Sequence, residues 1–246
     1  MTVTVTPALR QELAPTGTLR VALNLSNALL VSTAPPDGEP TGVAPDIGRE
    51  LARRLGVPVA FVRYPNPGDM VAAASTGAWD VGLIGADPLR ASEIVFTPSY
   101  CEIEASYLVP AGSPIQSIDE VDRPGIRIAV ADKTAYDMHL RRTLKHATLN
   151  RAPGGEGSYQ LFLSEKLDAL AGLRAVLANF QVRLLGSRLL EGRFHAIQQA
   201  IGTPIQRTAA AAYLREFVQD LRAGLAAQLI ARHGVSALTV PATRSS

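Results

Sequence analysis

Twice along this chain, strand-like alternation and helical periods follow one another in the order strand, helix, strand, helix, strand. That rhythm belongs to a mostly parallel sheet covered by helices. The first pass opens at 19–25, where Leu19, Val21 and Leu23 share one face. Ile47, Leu51 and Leu55 then recur every four residues, with Pro45 near the start and Gly56 in the place of a C-terminal cap. Alternation at 57–62, a short helix near 69–75 that Gly77 ends, and an apolar strand at 80–84 complete the pass. The second pass predicts a strand through Ile126, Ile128 and Val130, a helix over 135–145, a short strand at 147–149, a helix near 159–165 and a strand at 167–171. Residues 194–201 read as extended, and Leu214, Phe217, Val218, Leu221 and Leu225 line one face of a long helix that Gly224 and Gly234 divide. The expected architecture is α/β with two lobes, each a mostly parallel sheet flanked by helices. Residues 18–108 and 202–246 are expected to form lobe one, and 109–201 lobe two.

Several function classes have little support. The formal charge of +2 over 246 residues is nearly balanced, without a basic run, so nucleic acid is not an expected partner. Cys101 is the only cysteine, which rules out an intrachain disulfide, and it follows the apolar-aromatic run 96–100, where a buried thiol is more at home than a nucleophile. No run of eighteen apolar residues occurs, so no transmembrane segment is expected. The first twenty residues lack the apolar core of a secretory signal; as written the chain is expected in the cytoplasm, or in the periplasm if a leader has been removed. His139, His146, His195 and His233 are scattered, and neither an HExxH, a paired-cysteine nor a GxSxG pattern appears. No metal, cofactor or catalytic group is expected, and the chain is expected to be a monomer.

Polar residues cluster after the predicted strands. Asn24, Ser26 and Asn27 end the first. Asp87-Pro88 is a helix-start signature, and Gly85 just before it would let a ligand approach the backbone. Asp132-Lys133-Thr134-Ala135 leads from a strand into a helix, where unbonded N–H groups suit an anion, with Thr134 as cap and Lys133 adding charge. The glycine-rich run 154–158 fits no phosphate-loop spacing and reads as a flexible loop.

Three segments in order, 41–47 (TGVAPDI), 79–85 (WDVGLIG) and 90–100 (RASEIVFTPSY), together with Tyr107-Leu108-Val109 and Leu167-Asp168-Ala169, resemble the bacterial family 3 extracellular solute-binding proteins over roughly residues 18–234. The resemblance implies the type II periplasmic-binding fold, a ligand held between the lobes, and service as the substrate-binding component of an ABC uptake system, with its permease as partner. It also implies that Arg90 clamps the carboxylate of an amino acid or related organic acid, as a planar guanidinium fork can, and that Thr134 touches the ligand. One departure stands out: amino-acid binders carry an aspartate for the α-ammonium five residues after the position of Asp168, and this chain has Leu173 there, with Arg174 next. Either Asp87 takes over that pairing, or the ligand lacks an amine and Arg174 meets a second acidic group; Arg174 also reads as a plain helix-surface residue. Two alternatives use the same fold: a cyclohexadienyl-dehydratase-like lyase, with Asp137 or Glu156 as proton donor, and a cytoplasmic ligand-sensing module.

Overall fold

In the computed structural model of this chain, residues 5–242 are described. They divide into two compact units, one of Met1–Glu102 with Gln198–Ser246, the other of Ile103–Ile197. The expected crossings, at 108/109 and 201/202, lie further along the same two connecting strands. In chain order the elements are α1 (Pro7–Leu13), β1 (Leu19–Asn24), α2 (Val43–Leu55), β2 (Val59–Tyr64), α3 (Pro67–Ala72), β3 (Val81–Gly85) and β4 (Ile94–Phe96). Next come β5 (Cys101–Val109), β6 (Arg127–Ala131), α4 (Ala135–Thr143), β7 (Thr148–Ala152), α5 (Gly154–Ser164), β8 (Ala169–Leu173), α6 (Arg174–Arg183) and β9 (Arg188–Leu189). β10 (His195–Pro204) returns the chain to the first unit, where α7 (Thr208–Asp220) and α8 (Ala226–Arg232) close it.

The first unit orders its strands β2-β1-β3-β10, with β1 parallel to β2 and β3 and β10 antiparallel to β3. Leu19, Val21 and Leu23 of this central strand are fully buried, as are Ile47 and Leu51 of α2, the helix that packs on β1. Gly56 stands at φ 67°, the left-handed cap expected of it. At the other end of α2, Gly42 has φ 131°, and a Cβ there would lie 2.4 Å from the carbonyl oxygen of Leu30. That close approach lets the segment after β1 pack on the helix start, where the Ala44 N–H donates to Leu30 O at 3.0 Å. Asp80, fully buried, ties the sheet base together: it accepts from the Arg20 N–H at 2.8 Å, from Arg20 Nη2 at 2.7 Å and from Arg207 Nη1 at 2.6 Å.

The second unit repeats the plan as β7-β6-β8-β5, with β6 parallel to β7 and β8 and β5 antiparallel to β8. Tyr107, Ile128, Val130, Leu140 and Ile197 belong to one buried cluster on this sheet. The glycine-rich run 154–158 is not a loop. It is the first turn and more of α5, so that helix starts five residues before the predicted one. Local propensity argues against helix here, but Ser158, Tyr159 and Phe162 are buried against the sheet, and packing decides. Neither α1 nor α6 was marked by a clear apolar period, and α6 turns only Leu177 and Phe180 fully inward.

Candidate functional site

In each unit, two neighbouring parallel strands end side by side and send polar segments off the same edge. Ligands of open α/β sheets bind outside such carboxyl ends. In the first unit β1 and β3 are paired through Leu23 and Leu83, so the segment after Asn24 and the one after Gly85 leave together. In the second, β6 and β8 are paired through Ala129 and Leu170, and the Lys133–Ala135 turn and Arg174 leave together. Gly85, Asp87, Arg90, Asn24 and Asn27 thus share the first edge; Lys133, Thr134, Ala135 and Arg174 share the second.

At the first edge Asp87 caps a short 3-10 turn, Pro88–Arg90, accepting from the Leu89 N–H at 2.9 Å, as the Asp-Pro signature predicts. Arg90 is not the exposed surface arginine that its pattern alone would allow. It is 1% exposed, and its Nη1 donates to the Gly85 carbonyl at 2.6 Å, so the glycine serves the guanidinium through its backbone. Burial pulls the Arg90 pKa down to about 10, against the opposing pull of Asp87, which still leaves it charged at neutral pH. A guanidinium held out of water is a stronger partner for a carboxylate than a solvated one. Leu89 beside it is 53% exposed, an apolar surface that the sequence reading missed. Asn24 makes a local turn, its Oδ1 accepting from Ser26 N and Oγ at 3.1 and 2.7 Å. Asn27 is buried.

At the second edge Thr134 is the N-cap of α4, its Oγ1 accepting from the Asp137 N–H at 3.1 Å. Lys133 has φ 60°, an uncommon backbone for a residue with a side chain, and its N–H donates to Asp137 Oδ2 at 3.2 Å. Asp137, fully buried, also takes Arg151 Nε at 2.8 Å. Asp137 and Arg151 thus hold the turn, a role the sequence reading did not give them, although Thr134-Ala135-Tyr136-Asp137 carries the capping-box spacing that signals it. Arg174 Nη1 donates to the carbonyls of Leu190 and Gly192 at 2.9 and 2.6 Å, which ties the side chain to its own unit. Leu173 packs on the core cluster of its own unit.

The alternatives for proton chemistry have little to work with. Glu156 lies between Arg183 and Gln160, whose hydrogen bonds hold its carboxyl down at about 2, so it has no proton to give at neutral pH. Both Asp137 oxygens already accept hydrogen bonds. Burial pushes the Cys101 thiol far above its usual range, which disfavours the thiolate a nucleophile needs. Among the described residues no group of three or more potential metal ligands occurs, and no helix is long and apolar enough to cross a membrane.

Two α/β units of matching topology, each with a polar carboxyl edge, define a two-lobed binding fold of the periplasmic type. The bacterial extracellular solute-binding proteins, family 3, match residues 19–234, and the chain belongs to that family. Similar solved structures include an ancestral amino-acid-binding protein, AncCDT-1, described as a precursor of cyclohexadienyl dehydratase, at 19% identity and TM-score 0.74, covering 91% of this chain and 97% of that one. An amino acid ABC transporter substrate-binding protein from Streptococcus pneumoniae bound to L-arginine aligns at 17% identity and TM-score 0.72, covering 96% and 100%. Holo ArgBP from T. maritima aligns at 18% identity and TM-score 0.70, covering 86% and 93%. Among curated proteins none matches the sequence.

Proposed function

We propose that this chain binds a small solute bearing a carboxylate, an amino acid or related organic acid, as the substrate-binding component of an ABC-type uptake system. The observation that carries the reading is Arg90, charged, buried and anchored on Gly85 at a carboxyl edge of the sheet. Asp87 and Asn27 on the same edge supply acceptors. On the carboxyl edge of the second unit, considered by itself, Lys133, Thr134 and the Ala135 N–H are donors, and Leu173 offers no carboxylate. The family and the neighbouring structures support binding over turnover. The dehydratase alternative is tested by incubation with prephenate and arogenate, and turnover of either would replace the binding reading.

A thermal-shift screen of amino acids, keto acids, dicarboxylates and aromatic acids tests the proposal directly. A solute at a hundred times its Kd stabilises by about 2.7 kcal/mol, or roughly 5–10 °C in a unit of this size. The shift is expected to vanish in Arg90→Met, a replacement of similar length that limits the cavity Arg90→Ala would leave. Hits that survive Arg90→Met would overturn the carboxylate clamp.

A further inference from the structure

Lys133 holds a backbone conformation that its own side chain does not favour. Among the described residues only Lys133 and Lys166 have positive φ without being glycine, at 60° and 49°. Lys166 follows the end of α5, where the next N–H, that of Leu167, bonds back to Phe162 O at 3.0 Å in a left-handed helix stop. Lys133 precedes a helix start, a position that a C-terminal cap does not explain. A carboxylate holds it instead. The Lys133 N–H donates to Asp137 Oδ2 at 3.2 Å, one residue outside the N-cap amide that the third residue of a helix takes in a capping box. Asp137 is fully buried, and its other oxygen accepts from Arg151 Nε at 2.8 Å. Arg151 stands opposite Val130 on β7, the last strand in this unit's order, and the next residue, Ala152, accepts from the Asp132 N–H at 3.0 Å. The end of β7 thus brackets the turn at two points, one through the backbone and one through an ion pair.

Packing alone does not call for this pair. A buried carboxylate costs desolvation that its partner at best offsets, and an apolar side chain would fill the space at lower cost. Sparsely populated backbone conformations persist where the surroundings over-determine them, and they gather at binding sites. From this we infer that Arg151 is a positioning residue for solute binding: acting through Asp137, it holds the Lys133–Ala135 turn in the left-handed arrangement that sets the direction of the donors at this edge. The inference rests on the binding function proposed above and adds to it a residue that acts through another side chain. Without Arg151 the Asp137 carboxylate is drawn toward water and Lys133 relaxes toward ordinary φ. The fraction of turns competent to bind then falls, and the apparent Kd rises in proportion.

The test uses two readouts on the full chain: amide exchange followed by NMR, and calorimetric titration with L-arginine, L-glutamate, 2-oxoglutarate and succinate. In Arg151→Met the Lys133 amide is expected to exchange at least about tenfold faster than in wild type, with the Ala129 amide of β6 unchanged. Each acid that binds wild type is expected to bind this variant about tenfold more weakly. Lys133→Gly removes the strain, because glycine adopts this φ freely, and in that background Arg151→Met is expected to change affinity by less than about twofold. A general loss of structure would not be suppressed in this way. The double variant Asp137→Ala/Arg151→Met leaves no charge buried, so it serves where Arg151→Met does not fold, with the same loss and the same suppression expected. Unchanged Lys133 exchange in Arg151→Met overturns the inference. Unchanged affinity where exchange has risen marks the pair as structural and also overturns it, as does a loss that persists in full in the Lys133→Gly background; these results leave the carboxylate reading intact. Failure of all four acids to bind wild type removes the binding function and the inference with it.

Discussion

Three charged residues of the first unit illustrate how burial changes what a side chain is for. Arg90 and Asp80 are both out of water, but Asp80 has its charge matched within the unit by Arg20 and Arg207, which places it among structural groups. Removing one partner of such a buried set leaves uncompensated charge, and Asp80→Ala is expected to cost about 3–5 kcal/mol in urea unfolding. Its effect on solute affinity in protein that remains folded is expected to be small, the opposite of Arg90→Met. Glu50 is the third. The Arg53 hydrogen bond, with help from Arg54 and against partial burial, brings its carboxyl from 4.5 to about 2. Because the folded state holds this proton less tightly than the unfolded chain, the stabilisation is present above about pH 4.5 and is lost as pH falls toward 2. Urea midpoints measured from pH 6 to 2 are expected to fall more steeply for wild type than for Glu50→Gln, with the two curves converging at the acid end. Parallel curves would remove Glu50 as a source of acid sensitivity.

At the scale of elements, glycines mark where tertiary demands override local preference, in opposite directions. In α5, Gly155 sits in a helical turn with nothing within 4 Å of where a Cβ would be. Gly155→Ala removes backbone freedom from the unfolded chain without strain, and is expected to stabilise by about 0.5–1 kcal/mol. Gly42 has no such latitude: its φ of 131° and the Leu30 carbonyl 2.4 Å from the Cβ position make Gly42→Ala destabilising, by more than about 1 kcal/mol. Denaturant titration of both variants checks the pair of signs. The same contrast explains why the start of α5 escaped the sequence reading while that of α2 did not. α2 has its apolar period and its Gly56 cap in the chain; α5 begins in residues whose helicity depends on Tyr159 and Phe162 finding the sheet.

For the molecule as a whole, both units use one plan, a central strand flanked by its two successors and closed by an antiparallel strand from the chain's crossing. The repeated strand and helix rhythm made that plan legible, because alternation and four-residue periods are local consequences of which faces must be buried. The Asp87-Pro88 cap and the Thr134 cap were legible for the same reason: a helix start needs an acceptor close in sequence. The site was legible only in part. Sequence order placed Arg90, Gly85, Asn24 and Asn27 near predicted strand ends, but pairing of β1 with β3, through residues 60 apart, is what brings them to one edge. Nothing local says that Arg90 is buried, that Gly85 holds it through a carbonyl, or that Asp137 and Arg151 hold the backbone of Lys133 in its left-handed turn. Sequence by itself determined the elements, their alternation and their caps, because those depend on neighbours a few residues away. Burial and charge pairing were decided by the tertiary structure, because each depends on which distant segments exclude water from the same place.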